Sequence, residues 1–393
     1  LNKLIRMTAL SAALVGSVSY ATSNDALLDL LVKKGILTDS EATAVAAELK
    51  EENKGVTFSS KGKETVKLRF NGRMHFQYDS LDSEDNGRDV ASTNHFYFRR
   101  LRLGAKATHE NGLFAETVLD FSGDEESELG VDKAVAGYEF SDAFTGMVGY
   151  QKVPFGFQET TSSSKIKTIE RSAANRFLAD DIDFAGRHTG LHAKGNLGGG
   201  FSYAAAIMNG AQGEGSRLLG TAQASNDLAA FGRVQWAGND LTLGVDAGNQ
   251  SNNDVVGQDV TAFTAYANYK FEGFDILGEY FSADMDDQED AEGYSLRVAY
   301  KFDKFEPVFR YSHLKNDTFV IDADELIRRA PSDAESANAT GGDNEIDSYY
   351  FGLNYYYNKA VSLMAGYEMA ETDSDDGDEV EIDGLRARLQ ILW

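Results

Sequence analysis

The sequence predicts an all-β chain that closes into an antiparallel β-barrel in a membrane. Apolar and polar residues alternate with a period of two along most of the chain, as expected for strands with one apolar face and one polar face. The alternating segments are about ten residues long, which is the length that a tilted strand needs to cross a bilayer. The composition of 38 glycines, 18 tyrosines and 24 phenylalanines with only 3 prolines suits strands joined by glycine-containing turns.

The composition also excludes other classes of protein. The 393 residues include no cysteine, which removes disulfide frameworks and thiolate chemistry. The formal net charge of −26 argues against a nucleic-acid partner. The mean hydropathy of −0.38 and the lack of a long apolar run argue against a bundle of membrane-spanning helices.

Residues 1–21 have the pattern of a secretory signal peptide. Lys3 and Arg6 form a basic start, and a short, mostly apolar stretch follows over residues 8–18. Small residues at positions 19 and 21 fit cleavage after Ala21. A buried helix of a cytosolic protein is the alternative.

Residues 22–64 predict a short periplasmic helical segment followed by a linker. Leucines at helical spacing precede Gly35 as a helix end, and Thr38 to Glu41 fit a capping box before a second helix. The polar residues 50–64 fit a linker. The helices would pack on a neighbouring subunit, tether the membrane to the cell wall or form a mobile tail, and the sequence leaves these alternatives open.

Residues 65–393 predict the barrel, with sixteen strands favoured over fourteen or eighteen. On the first strand, for example, Leu68 and Phe70 alternate with Arg69 and Asn71. The predicted strands are 65–79, 94–109, 112–121, 132–140, 144–154, 185–196, 200–209, 228–238, 240–250, 260–271, 274–284, 292–302, 305–314, 346–358, 361–372 and 379–393.

The predicted connections are alternately short and long. Seven gaps are turns of a few residues, and long loops, beginning with 80–93, fill the other eight. An even number of strands with short turns at one end and long loops at the other is typical of outer-membrane barrels. The aromatic terminal residue, Trp393, suits an anchor at the membrane interface. We therefore expect the protein to reside in the outer membrane of a Gram-negative-type bacterium.

Acidic residues concentrate in three predicted loops. Their carboxylates would share Ca²⁺ or Mg²⁺ with lipopolysaccharide, because these ions prefer oxygen ligands. The alternative is a solvated surface of like charge. The clusters are Asp284, Asp286, Asp287, Glu289, Asp290 and Glu292; Asp124, Glu125, Glu126 and Glu128; and Asp373, Asp375, Asp376, Asp378 and Glu379.

Basic residues concentrate on the polar faces of the first, second and last strands. Barrel closure places the last strand beside the first, so these side chains would line one wall of the lumen. Guanidinium groups match phosphate and carboxylate oxygens, and a row of them would attract anions. Alternatively, they pair with lumen acids such as Glu116 and Asp120 and only brace the wall. The eight residues are Lys67, Arg69, Arg73, Arg100, Arg102, Lys106, Arg386 and Arg388.

The long connection 155–184 is also basic. It carries Lys165, Lys167, Arg171 and Arg176 against the single acid Glu170 between residues 161 and 178. Its apolar residues predict a packed loop that folds into the lumen and places these cations at a constriction. A loop that covers a subunit contact outside the pore is the alternative.

Three stretches resemble the phosphate-selective porin O and P family. They are Phe98 to Gly104 (FRRLRLG), Gly149 to Phe157 (GYQKVPFGF) with Glu170-Arg171-Ser172, and Arg187 to Gly195 with Ala206 to Gly210. Together with the terminal strand, the similarity extends over roughly residues 65–393.

The resemblance implies a sixteen-stranded homotrimeric porin whose arginine-lined wall and constriction pass small inorganic anions such as phosphate by passive diffusion. It implies wall roles for Arg69, Arg73, Arg100, Arg102, Arg386 and Arg388. It implies constriction roles for Lys165, Lys167, Arg171 and Arg176. A general or cation-preferring porin with acidic surface loops is the alternative.

An outer-membrane enzyme is the third class of function. The six histidines are accompanied by neither a Gly-x-Ser-x-Gly elbow nor a His-Glu-x-x-His zinc motif. We therefore expect no catalytic activity, no metal centre and no cofactor.

Overall fold

The computed structural model describes residues 56–59, 66–122, 129–210, 227–253, 256–285, 290–316, 323–331, 344–374 and 379–393. The chain divides into two compact units, residues 1–56 and 57–393. The predicted signal peptide, the predicted helices before residue 50 and the acidic residues 124–128, 286–289 and 375–378 lie outside the described residues. Those assignments stay predictions.

Sixteen of the seventeen described strands form a closed antiparallel barrel. Each strand pairs with the next along the chain, and the last strand pairs with β2 from Val380–Asp85 to Leu392–Arg73. The short strand β1 lies in the segment that the sequence assigns to a linker. The strands are β1 Val56–Ser59, β2 Val66–Asp85, β3 Arg88–His109, β4 Leu113–Asp120, β5 Gly130–Ser141, β6 Phe144–Lys152, β7 Arg187–Gly198, β8 Phe201–Asn209, β9 Leu228–Gly238, β10 Leu241–Asn253, β11 Gln258–Phe271, β12 Phe274–Asp284, β13 Ala291–Tyr300, β14 Phe305–Asn316, β15 Asn344–Tyr356, β16 Val361–Ser374 and β17 Glu379–Leu392.

The prediction of sixteen barrel strands is confirmed, but the predicted long loop 80–93 is wrong. β2 and β3 continue as a two-stranded ribbon and meet at the turn Asn86–Gly87, where both residues have positive φ angles of 49° and 71°. An Asn-Gly pair favours this tight hairpin turn, because both residues tolerate the left-handed conformation. The signal was present in the sequence but was hidden by the polar residues around it.

Two β-bulges interrupt the alternation on the basic side of the barrel. The register shifts between the pairs His75–Arg100 and Phe76–Phe98, which leaves Arg99 as an extra residue on β3. A second shift makes Asp132 the extra residue between the partners of Val118 and Leu119. A bulge lets two consecutive side chains turn to the same face. Arg99 and Arg100 therefore both face the lumen, as do Asp132 and Lys133.

Two chain segments fill part of the lumen. The first, the connection 153–186 between β6 and β7, is named the inward loop here; it contains α1 Phe157–Thr160, α2 Ala173–Arg176 and a π-helical turn Phe177–Asp181. The second, residues 323–331, contains α3 Ala323–Leu326. Their apolar side chains form one buried cluster with inward-facing residues of the wall, including Phe231 and Phe281. The hydrophobic core therefore lies inside the barrel.

The outer surface is apolar along most strands. Large side chains such as Phe96, Phe351 and Leu385 are more than half exposed there, as expected where lipid covers the barrel. No helix in the described part of the chain is long and apolar enough to cross a membrane.

Candidate functional site

The inward loop is anchored to several strands of the barrel wall. The Gly156 N–H donates to the Asp246 carboxylate at 2.9 Å, and the Gln158 N–H donates to Glu279 at 3.1 Å. On β15, the Asn354 side-chain amide donates to the Lys167 carbonyl at 2.8 Å. The described part of the loop thus lies inside the barrel and not on its outer face.

Glu170 forms the centre of the loop's contact with the basic wall. Its carboxylate accepts hydrogen bonds from Arg99 Nε at 3.0 Å and from Arg388 Nη2 at 2.8 Å, and its backbone carbonyl accepts one from Arg310 at 2.8 Å. The side chains of Glu170 and Arg388 are almost fully buried. The one acid in the most basic part of the loop is therefore the residue that fastens it to strands β3 and β17.

The loop's two buried glutamates are held in the charged form. Burial alone disfavours a carboxylate, but Arg99, Arg388 and Arg100 outweigh it and keep the pKa of Glu170 well below its usual range. For Glu159, burial is likewise outweighed by Arg171 and Lys152, which lower its pKa to about 2. Both residues lie outside the membrane-spanning strands.

Several of the predicted wall residues are paired with carboxylates. Arg102 contacts Asp120 at 2.6 Å and Asp132 at 2.7 Å. Arg386 lies between Glu368 at 2.5 Å and Asp79 at 3.2 Å. For these residues and for Arg388 the structure shows the bracing arrangement that the sequence analysis gave as the alternative.

Arg73 and Arg100 differ, because neither makes an ion pair with a carboxylate of a described residue. Arg73 instead donates to two hydroxyls of the inward loop, Ser163 Oγ and, at 2.9 Å, Ser162 Oγ. Arg100 is buried and its guanidinium approaches His75 Nδ1 at 3.5 Å. The Nε atoms of both arginines are buried and have no hydrogen-bond partner in the part of the chain that the structure describes.

The other three predicted wall residues lie nearer the short-turn end of β2 and β3; they are Lys67, Arg69 and Lys106. Arg69 and Lys106 are register partners on these neighbouring strands. The Lys106 ammonium group lies over the Phe114 ring, 5.1 Å from its centre.

Of the four predicted constriction residues, three are held within the protein. Lys167 pairs with Glu306, Arg176 pairs with Asp180 at 2.8 Å, and Arg171 donates to the Gln158 and Thr161 carbonyls. Lys165 is exposed, and its ammonium group makes no ion pair with a described residue. It lies two residues beyond Ser163, the second of the serines that contact Arg73. The stretch 162–165 is called the loop edge.

Several basic residues of the lumen were not predicted from the sequence. Arg187 pairs with Asp132, Lys152 with Glu159, and Lys133 with Glu116. Arg99 was missed because a bulge turns it inward against the strict alternation. Two adjacent charged residues within an otherwise alternating strand were the available signal.

The second inward segment was also missed. Leu326 and Ile327 are buried in the lumen core, the Arg328 carbonyl accepts a hydrogen bond from Arg386 at 2.8 Å, and the Arg329 guanidinium lies 5.2 Å from the centre of the Tyr97 ring. An apolar pair followed by two arginines in a long acidic loop was the signal in the sequence.

Few described acids of the predicted loop clusters come together. Glu371, Asp373 and Glu379 place oxygen atoms within 4.8 Å of one another on the exposed surface. Proximity of three exposed acids does not by itself identify a cation site. The sharing of divalent cations with lipopolysaccharide therefore stays a prediction.

Comparison with known proteins agrees with this architecture. The sequence profile described as phosphate-selective porin O and P matches residues 68–272. An uncharacterised protein of Aquifex aeolicus (strain VF5) is 23% identical over 450 residues, covering 99% of this chain and 100% of that protein.

Two solved structures have a similar fold. The anion-selective porin from Comamonas acidovorans is 13% identical, with a TM-score of 0.61 over 84% of this chain and 100% of that chain. The trimer form of OmpT, an outer membrane protein of Vibrio cholerae, is 15% identical, with a TM-score of 0.52 over 84% and 99%.

These findings identify a channel-forming porin of the Gram-negative outer membrane. The profile match covers more than half of the 393 residues and includes the basic strands β2 and β3 and the whole inward loop. The chain belongs to the phosphate-selective porin O and P family.

Proposed function

We propose that this porin prefers small inorganic anions and that phosphate is its candidate solute. The observation that carries the proposal is the contact of Arg73 with Ser162 and Ser163 beside the exposed Lys165. Arg73 is hydrogen-bonded to these serine hydroxyls and makes no ion pair with a carboxylate of a described residue, and the Lys165 ammonium group belongs to the same stretch of the loop. Such donors match the oxygens of a phosphate ion.

The charge balance around this edge supports the same preference. Cations outnumber carboxylates, and the cationic side chains keep part of their surface in contact with solvent, up to 25% for Arg187. A partly desolvated wall with excess positive charge concentrates anions, because the surrounding low-dielectric protein focuses its field. The cations are Arg73, Arg102, Lys152, Arg171 and Arg187, and the carboxylates are Asp120, Asp132 and Glu159.

Basic residues continue toward the short-turn end of the barrel. Lys106 and Lys133 lie close enough to Lys194 to repel its charge. Glu116 is the carboxylate paired with Lys133 in this region. The lumen side of β3, β5 and β7 thus offers anions a further set of weak sites, which suits passage better than one tight site does.

A general or cation-preferring porin is the second candidate, and one observation favours it. Arg102, Arg386 and Arg388 are engaged by carboxylates, which lowers the net charge that a passing ion meets. The exposed acids Glu371, Asp373 and Glu379 would in addition attract cations at the long-loop end.

Ion selectivity of the purified protein in a planar bilayer tests the proposal. Under a KCl gradient, we expect a zero-current potential of the sign for chloride preference, and we expect added phosphate to reduce the chloride current. A potential of the opposite sign with no effect of phosphate would support the cation-preferring alternative.

The proposed assembly is a homotrimer. A trimer form exists for the structurally similar OmpT of Vibrio cholerae, and most soluble and barrel-forming homo-oligomers adopt closed symmetry. Native mass spectrometry of the detergent-solubilised protein should give three times the mass of one chain. A monomer mass under the same mild conditions would contradict this.

A further inference from the structure

Three arginines act on the carboxylate of Glu170 where the inward loop meets the wall. Glu170 binds Arg99 and Arg388, and the positive charge of Arg100 also acts on it. Arg100 and Arg388 are 3% and 2% exposed. Buried guanidinium groups are costly without a counter-charge. Among the described residues, Arg388 pairs only with Glu170 and Arg100 pairs with no carboxylate, so these two guanidinium groups carry more positive charge than Glu170 balances.

The same cluster contains hydrogen-bond donors without an acceptor. Arg100 Nε and Arg388 Nη1 are buried and have no partner among the described residues. The neighbouring polar groups do not complete the set, because Gln77 Oε1 is already taken by Arg388 Nε and Nη2, at 3.0 and 2.7 Å. Unused donors beside an excess of positive charge are the features of a site for an oxyanion.

Glu170 itself is held as an oxyanion would be. One carboxylate oxygen accepts from both Arg99 and Arg388, and the second approaches Arg99 Nη2 at 3.4 Å. This two-oxygen contact with a guanidinium fork is the geometry by which arginine binds free carboxylates and phosphates. The residue reaches the site from the loop, and not from the wall that carries the arginines.

We propose that Arg99, Arg100 and Arg388 form an oxyanion-binding site whose resident ligand is the protein's own Glu170. The glutamate is a tethered counter-anion, and small oxyanions from solution compete with it for the three guanidinium groups. When a solution anion takes its place, the Glu170 contacts of the loop with β3 and β17 are released. The inference rests on the proposed anion passage and adds a competing internal anion to it.

Replacement of Glu170 by the uncharged isostere tests the proposal. In Glu170→Gln channels we expect the phosphate concentration that halves the chloride current to fall by about tenfold, the equivalent of about 1.4 kcal/mol. Acetate, a monocarboxylate with the chemistry of the glutamate, should gain blocking strength as well. Asp180→Asn is the matched control, because it removes one negative charge from the same loop at a half-exposed position away from the three arginines.

The competing outcomes are separable. Phosphate block of wild-type channels that is unchanged in Glu170→Gln, or changed no more than in Asp180→Asn, would overturn the tethered counter-anion and leave anion preference standing. Wild-type channels without anion preference would overturn the proposed function. If Glu170→Gln channels were then also insensitive to phosphate, the site would be overturned too.

Two further variants distinguish the loss of the Glu170 charge from a folding defect. In Glu170→Gln combined with Arg388→Gln, the gain in phosphate block should disappear, because a site with fewer guanidinium groups remains. If Glu170→Gln does not assemble, Glu170→Asp keeps the charge but shortens the side chain, and it should still strengthen the block. Unchanged block in Glu170→Asp channels would count against the proposal.

Discussion

Gly72 and Trp393 link the first and last strands of the barrel, β2 and β17. The Gly72 N–H donates to the Trp393 carbonyl at 2.8 Å, and the Trp393 N–H donates to the Gly72 carbonyl at 3.2 Å. The indole ring occupies the space above Gly72, where an added Cβ atom would come within 2.1 Å of it. The terminal residue therefore closes the seam between β17 and β2 with both its backbone and its side chain.

We expect Gly72→Val to weaken this seam, because the ring must leave its position or the strands must separate. Overpacking of this kind costs about 1–3 kcal/mol. The measurement is the temperature at which the folded barrel converts to the slower-migrating unfolded band on a gel. Gly278→Val is the control, since a Cβ atom there meets nothing within 4 Å; equal temperatures for the two variants would contradict the role of the contact.

Arg73 and Arg102 should respond differently to replacement by glutamine. Arg73 has hydroxyl partners, so Arg73→Gln should raise the phosphate concentration needed for half block and leave stability nearly unchanged. Arg102→Gln leaves Asp120 without its arginine and Asp132 with Arg187 alone, and should destabilise the barrel by about 3 kcal/mol. Urea unfolding and bilayer recordings of the two variants separate these effects; equal loss of stability would refute the distinction.

Lys165 and Lys167 are two residues apart in the sequence, and we expect them to have different roles. Lys165→Gln should weaken phosphate block, because it removes an exposed cation from the loop edge. Lys167→Gln should instead increase current noise, because its contact with Glu306 anchors the loop to β14. Bilayer recordings of both variants provide the comparison. Loss of block in Lys167→Gln alone would reverse the assignment.

The docking of the inward loop should withstand mild acid. A carboxyl group with a lowered pKa in the folded protein stabilises the fold above its ordinary pKa of 4.5, and this contribution is lost as the pH falls through the folded pKa. For Glu159 that pKa is about 2, and for Glu170 it lies well below the usual range. The contacts that Glu159 and Glu170 make should therefore persist from pH 7 to 4.5 and weaken only toward pH 2.

A spin label can follow this transition, because the chain has no cysteine of its own. A label at Ser164→Cys should keep a constant mobility down to pH 4.5 and become mobile well below it. A label at Asn358→Cys, on the short turn between β15 and β16, should not change over the same range. Release of the loop label between pH 7 and 5 would show that the two glutamates do not control docking.

The strands were predictable because lipid and lumen impose a local rule on the sequence. Each crossing strand must place apolar side chains outward and polar ones inward, so residues two apart repeat. The predicted bounds of the strands 228–238 and 274–284 agree with the structure. The rule fails at the bulges at Arg99 and Asp132, because an extra residue depends on the neighbouring strand and leaves no periodic signal.

The basic character of the lumen was likewise determined by the sequence, but its use was decided by the tertiary structure. Alternation assigns Arg73, Arg102 and Arg388 to the inner face whatever their partners are. Whether each arginine is available to a passing anion depends on carboxylates that are distant in sequence: Asp132 engages Arg102, and Glu170 engages Arg388. Because a charge pair depends on distances of a few ångströms, only the folded loop and wall decide which cations are satisfied and which are left to bind a solute.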